Sequence, residues 1–266
     1  MKRRLGNLER QLFAYAQMRR LRELRTGDLA GPLGITPKQE RELLSRLSRS
    51  GLIAKVRRGL YLVPSQLPLG ATWTPDEAFA LNAAMADRRG RYQICGPNAF
   101  NRYGFSNQVP QRIYAYNNRV SEERTVGVIA LHLIKVASKR LGDTERERTT
   151  DGDTLVYSSR VRTLLDAVYD WSRFGSLPRG YVWIRDDLRA RRVTAADLVR
   201  VTLRYGNIST IRRMGALLER EGVSDHLLRK LRRAFDQPTR VIPWIPTEPQ
   251  AGKVNPRWGV LLNGAA

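Results

Sequence analysis

A capped helix followed directly by a glycine-tipped basic hairpin constrains the folding of this chain most, and it lies within residues 26–63. Thr36 is a favourable N-cap, Pro37 suits the first helical position, and Gln39 can complete a capping box with Thr36. The sequence therefore predicts a helix over residues 38–50.

This helix has two different faces. Its apolar positions, Leu43, Leu44 and Leu47, share one face at helical spacing, and polar and charged side chains project from the other. A shorter helix that begins near Asp28 and is broken by Gly34 is predicted to precede it. The two helices and the turn between them predict a helix-turn-helix.

Two short strands, residues 53–56 and 60–63, are predicted after Gly51 stops the helix. The tip between them reads Arg57-Arg58-Gly59, in which glycine tolerates positive φ and the arginines suit phosphate. A helix-turn-helix followed by a basic wing is a device for holding double-stranded DNA. We therefore predict an N-terminal winged helix-turn-helix domain.

The charge of the whole chain agrees with a nucleic-acid partner. The 47 Lys and Arg residues outnumber the 25 Asp and Glu residues, which gives a net charge of +22. Such an excess attracts polyanions, of which nucleic acid is the commonest. The excess alone does not exclude a membrane surface or a ribosome.

The predicted DNA contacts fall on the second helix and on the wing. Candidates for contact with base edges are Lys38, Gln39, Arg41, Glu42 and Ser45. Candidates for contact with phosphate, or with the minor groove beside the wing, are Arg46, Arg49, Lys55, Arg57 and Arg58. The backbone amides of residues 25–29 are a further candidate for phosphate contact.

The flanking segments set the expected domain boundary. Residues 5–25 are expected to form a first helix, and the inward-facing side chains would be Leu8, Leu12, Tyr15 and Ala16. Residues 64–74 read as a linker, after which Thr74 is expected to cap a helix that continues to Ala86. We therefore divide the chain into a DNA-binding domain, residues 1–68, and a second domain, residues 69–266.

The second domain is predicted to be mixed α/β, with a small sheet and a helical second half, so that the whole chain is α+β. Strands are expected at residues 92–95, 112–116 and 154–157, and residues 126–129 and 131–136 are expected to form two more strands or one bent strand. Residues 140–153 are expected to form an exposed loop. Helices are expected at residues 160–171, 195–203, 208–221 and 224–235. The four prolines of the tail, at residues 243, 246, 249 and 256, are expected to forbid regular structure before its end. The tail is nevertheless expected to be ordered, to pack Trp244 and Trp258, and to end in a strand over residues 258–262.

The residues for catalysis or metal binding are scarce. One cysteine and two histidines make no zinc set, and the glycines form no phosphate-binding loop. No stretch reaches the length of a membrane span, and no apolar segment follows the basic start to make a signal peptide. We therefore expect no catalytic residue, metal, cofactor or membrane, and a location in the cytoplasm with the nucleoid.

Four stretches in this order resemble the AbiEi family, the bacterial antitoxins of type IV toxin–antitoxin systems. They are residues 51–64 (GLIAKVRRGLYLVP), 95–100 (CGPNAF) with 103–105 (YGF), 158–166 (SSRVRTLLD) and 211–219 (IRRMGALLE). The resemblance implies a non-enzymatic protein that binds inverted repeats in its own promoter and represses the operon. It also implies a second domain that counteracts a nucleotidyltransferase toxin, with direct contact left open. We expect a monomer in solution that binds DNA as two or more copies.

Two other interpretations remain open from the residues. A winged-helix regulator with a ligand- or partner-sensing second domain would share the features of the first 64 residues, and a DNA-acting enzyme is a weaker alternative. Cations in the second domain predict a further basic surface for DNA or the toxin, although a merely solvated surface would explain them too. These residues are Arg212, Arg213, Arg229, Lys230, Arg232 and Arg233.

Overall fold

The computed structural model describes residues 5–66, 72–238 and 240–264. The helices among these residues are α1 (Asn7–Met18), α2 (Pro37–Arg49), α3 (Glu77–Ala86), α4 (Gly96–Arg102), α5 (Arg160–Tyr169), α6 (Trp171–Phe174), α7 (Arg179–Arg189), α8 (Ala195–Tyr205), α9 (Ile208–Arg220) and α10 (Asp225–Arg232). The strands are β1 (Glu23–Arg25), β2 (Ala54–Arg57), β3 (Leu60–Leu62), β4 (Tyr92–Ile94), β5 (Ile113–Asn117), β6 (Glu122–Val126), β7 (Ile129–Lys135), β8 (Thr144–Arg148), β9 (Thr154–Ser158), β10 (Ile242–Pro243), β11 (Lys253–Asn255) and β12 (Val260–Leu262). The prediction of a mixed α+β chain is confirmed.

The chain forms two compact units. The first unit contains the described parts of Met1–Tyr92 together with Gln111–Lys135 and Arg148–Leu155. The second unit contains Gln93–Pro110, Val136–Glu147 and the described parts of Val156–Ala266.

In the first unit, α1 and α2 pack on a three-stranded sheet in the order β1-β3-β2, in which both pairs of strands are antiparallel. The apolar core of this segment is made by residues between Leu12 and Val63, including the three leucines of α2. The same unit contains α3 and three further strands, in which β7 pairs in parallel with β5 and antiparallel with β6. The predicted strands around Arg57-Arg58-Gly59 are confirmed as β2 and β3.

The first helix is shorter than predicted. The chain leaves α1 after Met18, because Arg20 takes a left-handed conformation with φ 54° and Leu21 N donates to Ala16 O. Residues 23–25 then form β1, where Leu24 lies opposite Tyr61 and is fully buried. The prediction of a helix over residues 5–25 is therefore wrong after Met18, whereas Leu12 and Ala16 are buried as predicted.

The helix predicted between Asp28 and Gly34 is replaced by turns over residues 26–34. Leu29 O accepts from Leu33 N at 3.0 Å, which closes one helical turn, but the helix does not continue. Gly31 and Pro32 lie within this segment, and both residue types disfavour a helix interior. That part of the sequence prediction is wrong.

Three smaller predictions in the middle of the chain are corrected. The cap of α3 is Asp76, whose carboxylate accepts from Ala78 N at 2.7 Å, and not Thr74. The predicted strand over residues 126–129 is interrupted by a turn at Gly127, which has φ 63°, so that β6 ends where that strand was expected to begin. The predicted loop over residues 140–153 contains the exposed strand β8.

The second unit places β4 in parallel with β9, where Ile94 lies opposite Tyr157, and β8 beside β9. Helices α5 and α7 to α10 pack around a core that includes the buried Trp244 and Trp258. The tail is ordered, as predicted. It contains a three-stranded sheet in the order β10-β12-β11, so the expectation that its prolines forbid regular structure is wrong. Pro243 is accommodated because β10 is an edge strand.

Candidate nucleic-acid interface

The start of α2 is fixed by the predicted capping box. Thr36 Oγ1 accepts a hydrogen bond from Gln39 N at 3.2 Å, and Gln39 Oε1 accepts one from Thr36 N at 2.8 Å. Pro37 occupies the first turn, as predicted. The amide oxygen of Gln39 is therefore already bound, although its side chain is exposed.

Helix α2 buries one face and exposes the other. The buried residues are Glu40, Leu43, Leu44 and Leu47. The exposed residues include every α2 residue that the sequence predicted to meet DNA: Lys38, Gln39, Arg41, Glu42, Ser45, Arg46 and Arg49. The structure thus presents one polar surface with four cations on a single helix.

Glu40 is the buried acid that sequence reasoning missed. Its two carboxylate oxygens accept hydrogen bonds from Gly27 N at 3.0 and 2.9 Å, and Oε1 also accepts from Leu29 N at 3.0 Å. A buried carboxylate that accepts several amide bonds organises the backbone around it, because those amides would otherwise lack partners. The sequence signal was an acid three residues before Leu43, on the apolar side of the helix.

The backbone amides of residues 25–29 are all bound internally. Arg25 N donates to Asp28 Oδ2, Thr26 N to Gly59 O, and Asp28 N to Arg25 O. The remaining two amides, those of Gly27 and Leu29, donate to Glu40. The prediction that these amides meet DNA phosphates is therefore wrong, because each donor is already in use.

An ion pair joins α2 to α1. Arg46 Nε donates to Glu9 Oε1 at 3.1 Å, and the Arg46 side chain remains 50% exposed. Glu9 Oε2 also accepts from Gly6 N at 3.0 Å at the start of α1. Glu42, which the spacing allowed to pair with Arg46, has no ion-pair partner among the described residues and stays on the exposed surface.

The hairpin of β2 and β3 carries the basic tip. Gly59 has φ 82°, a conformation that favours glycine, and the register of the hairpin shifts between Lys55 and Arg57. The side chains of Lys55, Arg57 and Arg58 are all exposed. We call this segment, residues 54–62, the basic hairpin.

One arginine of the basic hairpin is bound to an acid. Arg57 Nε and Nη2 donate to the two carboxylate oxygens of Asp87, at 2.5 and 2.7 Å, and Arg25 Nη1 lies 3.4 Å from Asp87 Oδ1. The hydrogen bonds from Arg57, and to a smaller extent the contact with Arg25, hold the pKa of Asp87 below its usual value. The hydrogen bonds to Asp87 in turn raise the pKa of Arg57. Sequence reasoning missed Asp87, which lies 30 residues from Arg57.

Two of the cations predicted to form a second basic surface lie inside the second unit. Arg212 and Arg213 are each only 6% exposed, and they donate to main-chain carbonyls of the tail. Arg212 Nε binds Trp258 O at 2.7 Å, and Arg213 Nε binds Pro243 O at 3.1 Å. Burial lowers the pKa of both guanidinium groups. The expectation that Arg212 and Arg213 are exposed is wrong, because the tail covers them.

The other four cations lie on or next to α10, and two of them have partners. Arg229 Nε pairs with Asp225 Oδ2 at 3.0 Å, and Arg232 Nη1 donates to Phe235 O at 3.0 Å. Lys230 and Arg233 are exposed and have no ion-pair partner among the residues that the structure describes.

Three acids outside the proposed interface are held in ion pairs. Asp153 binds Arg22, the buried Asp166 binds Arg162, and Asp187 binds Arg160. Within residues 5–66, 72–238 and 240–264, no group of three or more His, Cys, Asp or Glu side chains is placed to hold a metal ion. None of the helices in these ranges is long and apolar enough to cross a membrane.

Comparison with known proteins identifies the class of the N-terminal segment. Residues 10–64 match the family AbiEi_4, described as "Transcriptional regulator, AbiEi antitoxin". The resemblance to AbiEi antitoxins is therefore confirmed, and the matched residues run from α1 through α2 to the end of the basic hairpin. The family is one of transcriptional regulators and not of enzymes.

A solved structure shares the fold of the whole chain. It is the RV2827C protein from Mycobacterium tuberculosis, with 14% sequence identity and a TM-score of 0.59 over 98% of this chain and 92% of that chain. At this identity the likeness concerns the fold alone. No curated protein sequence matches the chain.

Proposed function

We propose that this protein is a DNA-binding antitoxin whose N-terminal winged helix represses the operon that encodes it and a nucleotidyltransferase toxin. The observation that carries the proposal is the exposed cationic face of α2 beside the basic hairpin, within the segment that matches the AbiEi antitoxin regulators. In this proposal the protein acts in the cytoplasm at the nucleoid and has no catalytic activity of its own.

The order of elements supports the winged-helix assignment. The chain begins with helix α1 and the short strand β1, followed by the turn segment of residues 26–34. The second helix, α2, comes next, and the hairpin of β2 and β3 follows it. In this arrangement the second helix is the one that enters the major groove. The turn segment supplies the support that the first helix of a helix-turn-helix usually provides, and Glu40 holds it there.

The exposed residues then divide into two roles. Lys38, Arg41, Glu42 and Ser45 are placed to read base edges, and Gln39 retains only its amide nitrogen for that purpose because its oxygen caps the helix. Arg49, Lys55 and Arg58 are placed to bind phosphates, which adds affinity without sequence preference. Arg46 and Arg57 are also exposed, but each already binds an acid.

The two activities are proposed to reside in different parts of the chain. Residues 1–68 are proposed to bind DNA. They can do so as a separate part of the chain because the apolar core between Leu12 and Val63 is made within that segment. Residues 69–266 counteract the toxin. The protein is proposed to be monomeric in solution. Two or more copies are proposed to bind the inverted repeats of the promoter.

The test combines duplex binding with protection from the toxin. The full chain should bind its own promoter duplex more tightly than a scrambled duplex of equal length, with affinity that falls steeply as salt rises. Cells that express the neighbouring nucleotidyltransferase should grow only when the full chain is co-expressed. Promoter binding without protection would indicate a plain transcriptional regulator, and equal binding of the two duplexes would reject specific repression.

A further inference from the structure

Asp87 binds the basic hairpin from outside the segment that matches the regulator family. It follows the last residue of α3, and its two oxygens accept both Nε and Nη2 of Arg57. Arg25, at the end of β1, approaches the same carboxylate at 3.4 Å. All three residues belong to the first compact unit. Two cations therefore share one acid, and Arg57 is bound by a bidentate pair.

The position of Asp87 is unfavourable for the helix that it ends. The C-terminus of a helix carries partial negative charge, so an acid there is repelled and not attracted by the helix dipole. The Asp87 side chain is also only 10% exposed, which removes part of its hydration. The two arginines compensate for both costs, and α3 therefore gains nothing by itself from an aspartate at this position.

The pairing occupies the part of Arg57 that would hold a phosphate. A guanidinium binds phosphate best with two parallel N–H groups, and Arg57 gives Nε and Nη2 to Asp87. Its Nη1 donates to the carbonyl of Arg58 at 2.7 Å. Arg58 and Lys55 have no ion-pair partner among the described residues, so their charges remain available to an anion.

We propose that Asp87 limits the sequence-independent part of DNA affinity by withdrawing the charge of Arg57 from DNA phosphates, so that base reading by α2 contributes a larger share of the binding free energy. This inference rests on the proposed function, since it presumes that the basic hairpin meets DNA. Phosphate contacts strengthen binding to every sequence alike. Neutralisation of a cation within the protein therefore lowers the sequence-independent affinity for DNA and leaves base reading by α2 unchanged.

The experiment measures the salt dependence of binding of the full chain to a random duplex and to the promoter duplex. The variants are Asp87→Asn, Arg57→Ala, the two together, and Arg58→Ala as a reference for an unpaired hairpin cation. Asp186→Asn is the matched control, because it adds the same unit of charge at an exposed carboxylate that has no ion-pair partner within the described residues. Circular dichroism and thermal melting of each variant establish that it is folded.

Distinct results are expected for the five chains. Arg58→Ala should flatten the slope of log affinity against log salt by about 0.9, the effect of one lost phosphate contact, whereas Arg57→Ala should leave it as in the wild type. Asp87→Asn should steepen the slope by about 0.9 on both duplexes and strengthen binding to both, with the preference for the promoter unchanged. The double variant should return to wild-type behaviour, and Asp186→Asn should not depart from it.

Several outcomes would overturn the inference. One is a slope that Arg57→Ala flattens as much as Arg58→Ala does, because Arg57 would then contact phosphate despite Asp87. Another is that Asp87→Asn binds random DNA with the same affinity and salt slope as the wild type or Asp186→Asn. If Asp87→Asn does not fold, the comparison of Arg57→Ala with Arg58→Ala still decides. A wild-type chain that binds neither duplex would instead remove the proposed function on which the inference rests.

Discussion

Both carboxylate oxygens of Glu40 accept hydrogen bonds from the backbone nitrogen of Gly27, at 3.0 and 2.9 Å. The pair joins the buried side of α2 to the turns that precede it. Glu40 and Leu29 are both fully buried, so the Leu29 amide that Glu40 binds has no access to water as a replacement partner. The orientation of α2 within the first unit therefore depends on one acid on the face opposite the proposed DNA contacts.

Replacement of Glu40 by Ala should destabilise the first unit. The loss leaves the buried amide of Leu29 without an acceptor, at a cost of about 1–3 kcal/mol. Urea unfolding of the full chain, followed by circular dichroism, measures the change. Glu42→Ala is the matched control, because Glu42 is exposed on the same helix. Equal stability of the two variants would show that Glu40 does not hold the turn segment.

Sequence reading should depend on the exposed side of α2. Lys38→Ala and Arg41→Ala should each weaken binding to the promoter by about 1–3 kcal/mol, and binding to a random duplex by much less, because base contacts carry the discrimination. Gln39→Ala should also lower helix stability, since its oxygen caps the helix. Mobility shifts on the two duplexes test this prediction. Losses of the same size on both would remove α2 as the reader.

The basic hairpin should supply affinity without specificity. Lys55→Ala combined with Arg58→Ala removes two cations that have no acidic partner among the described residues, and it should flatten the salt slope by about 2 units on any sequence. Fluorescence anisotropy over a range of salt concentrations provides the measurement. Arg10→Ala combined with Arg19→Ala is the matched control, because it removes two exposed cations outside α2 and the hairpin. A slope that changes equally in both double variants would indicate an effect of net charge alone.

The tail should be required for the stability of the second unit. Arg212 donates to the carbonyls of Trp258 and Arg240, at 2.7 and 2.6 Å, and to that of Gly259. Arg212→Ala leaves these acceptors without their donor, which should cost about 1–3 kcal/mol, and Trp258→Ala should cost about 3–5 kcal/mol. Lys253→Ala, at an exposed position of β11, serves as the control. Thermal melting that is unchanged by Trp258→Ala would contradict this account of the core.

The cations of α10 should separate into a structural pair and an exposed pair. Lys230→Gln with Arg233→Gln should leave the melting temperature unchanged and weaken toxin neutralisation or promoter affinity, because these two charges are available to a partner. Arg229→Gln with Arg232→Gln should act mainly on stability, since Arg229 pairs with Asp225 and Arg232 binds Phe235 O. Survival of both activities in the exposed-pair variant would place the partner surface elsewhere.

The sequence by itself determined the elements whose signals are local. The capping box of Thr36 and Gln39, the leucine face of α2 and the glycine at the hairpin tip act between neighbouring residues, and each is present as predicted. The helix predicted over residues 195–203 is present as α8, and it begins at a local cap in which the hydroxyl oxygen of Thr194 accepts from Asp197 N at 3.1 Å. Propensity and capping specify such features because they require no distant partner.

Only the tertiary structure decided which charges remain available. Arg57 and Arg58 are adjacent in the sequence and chemically identical, yet Asp87 binds Arg57 across 30 residues, whereas Arg58 has no ion-pair partner in the part of the chain that the structure describes. Arg212 and Arg213 follow the same logic, because the tail supplies carbonyls that bury them. A cation's role depends on which acid or carbonyl the fold brings within hydrogen-bond distance, and no local pattern in the sequence contains that information.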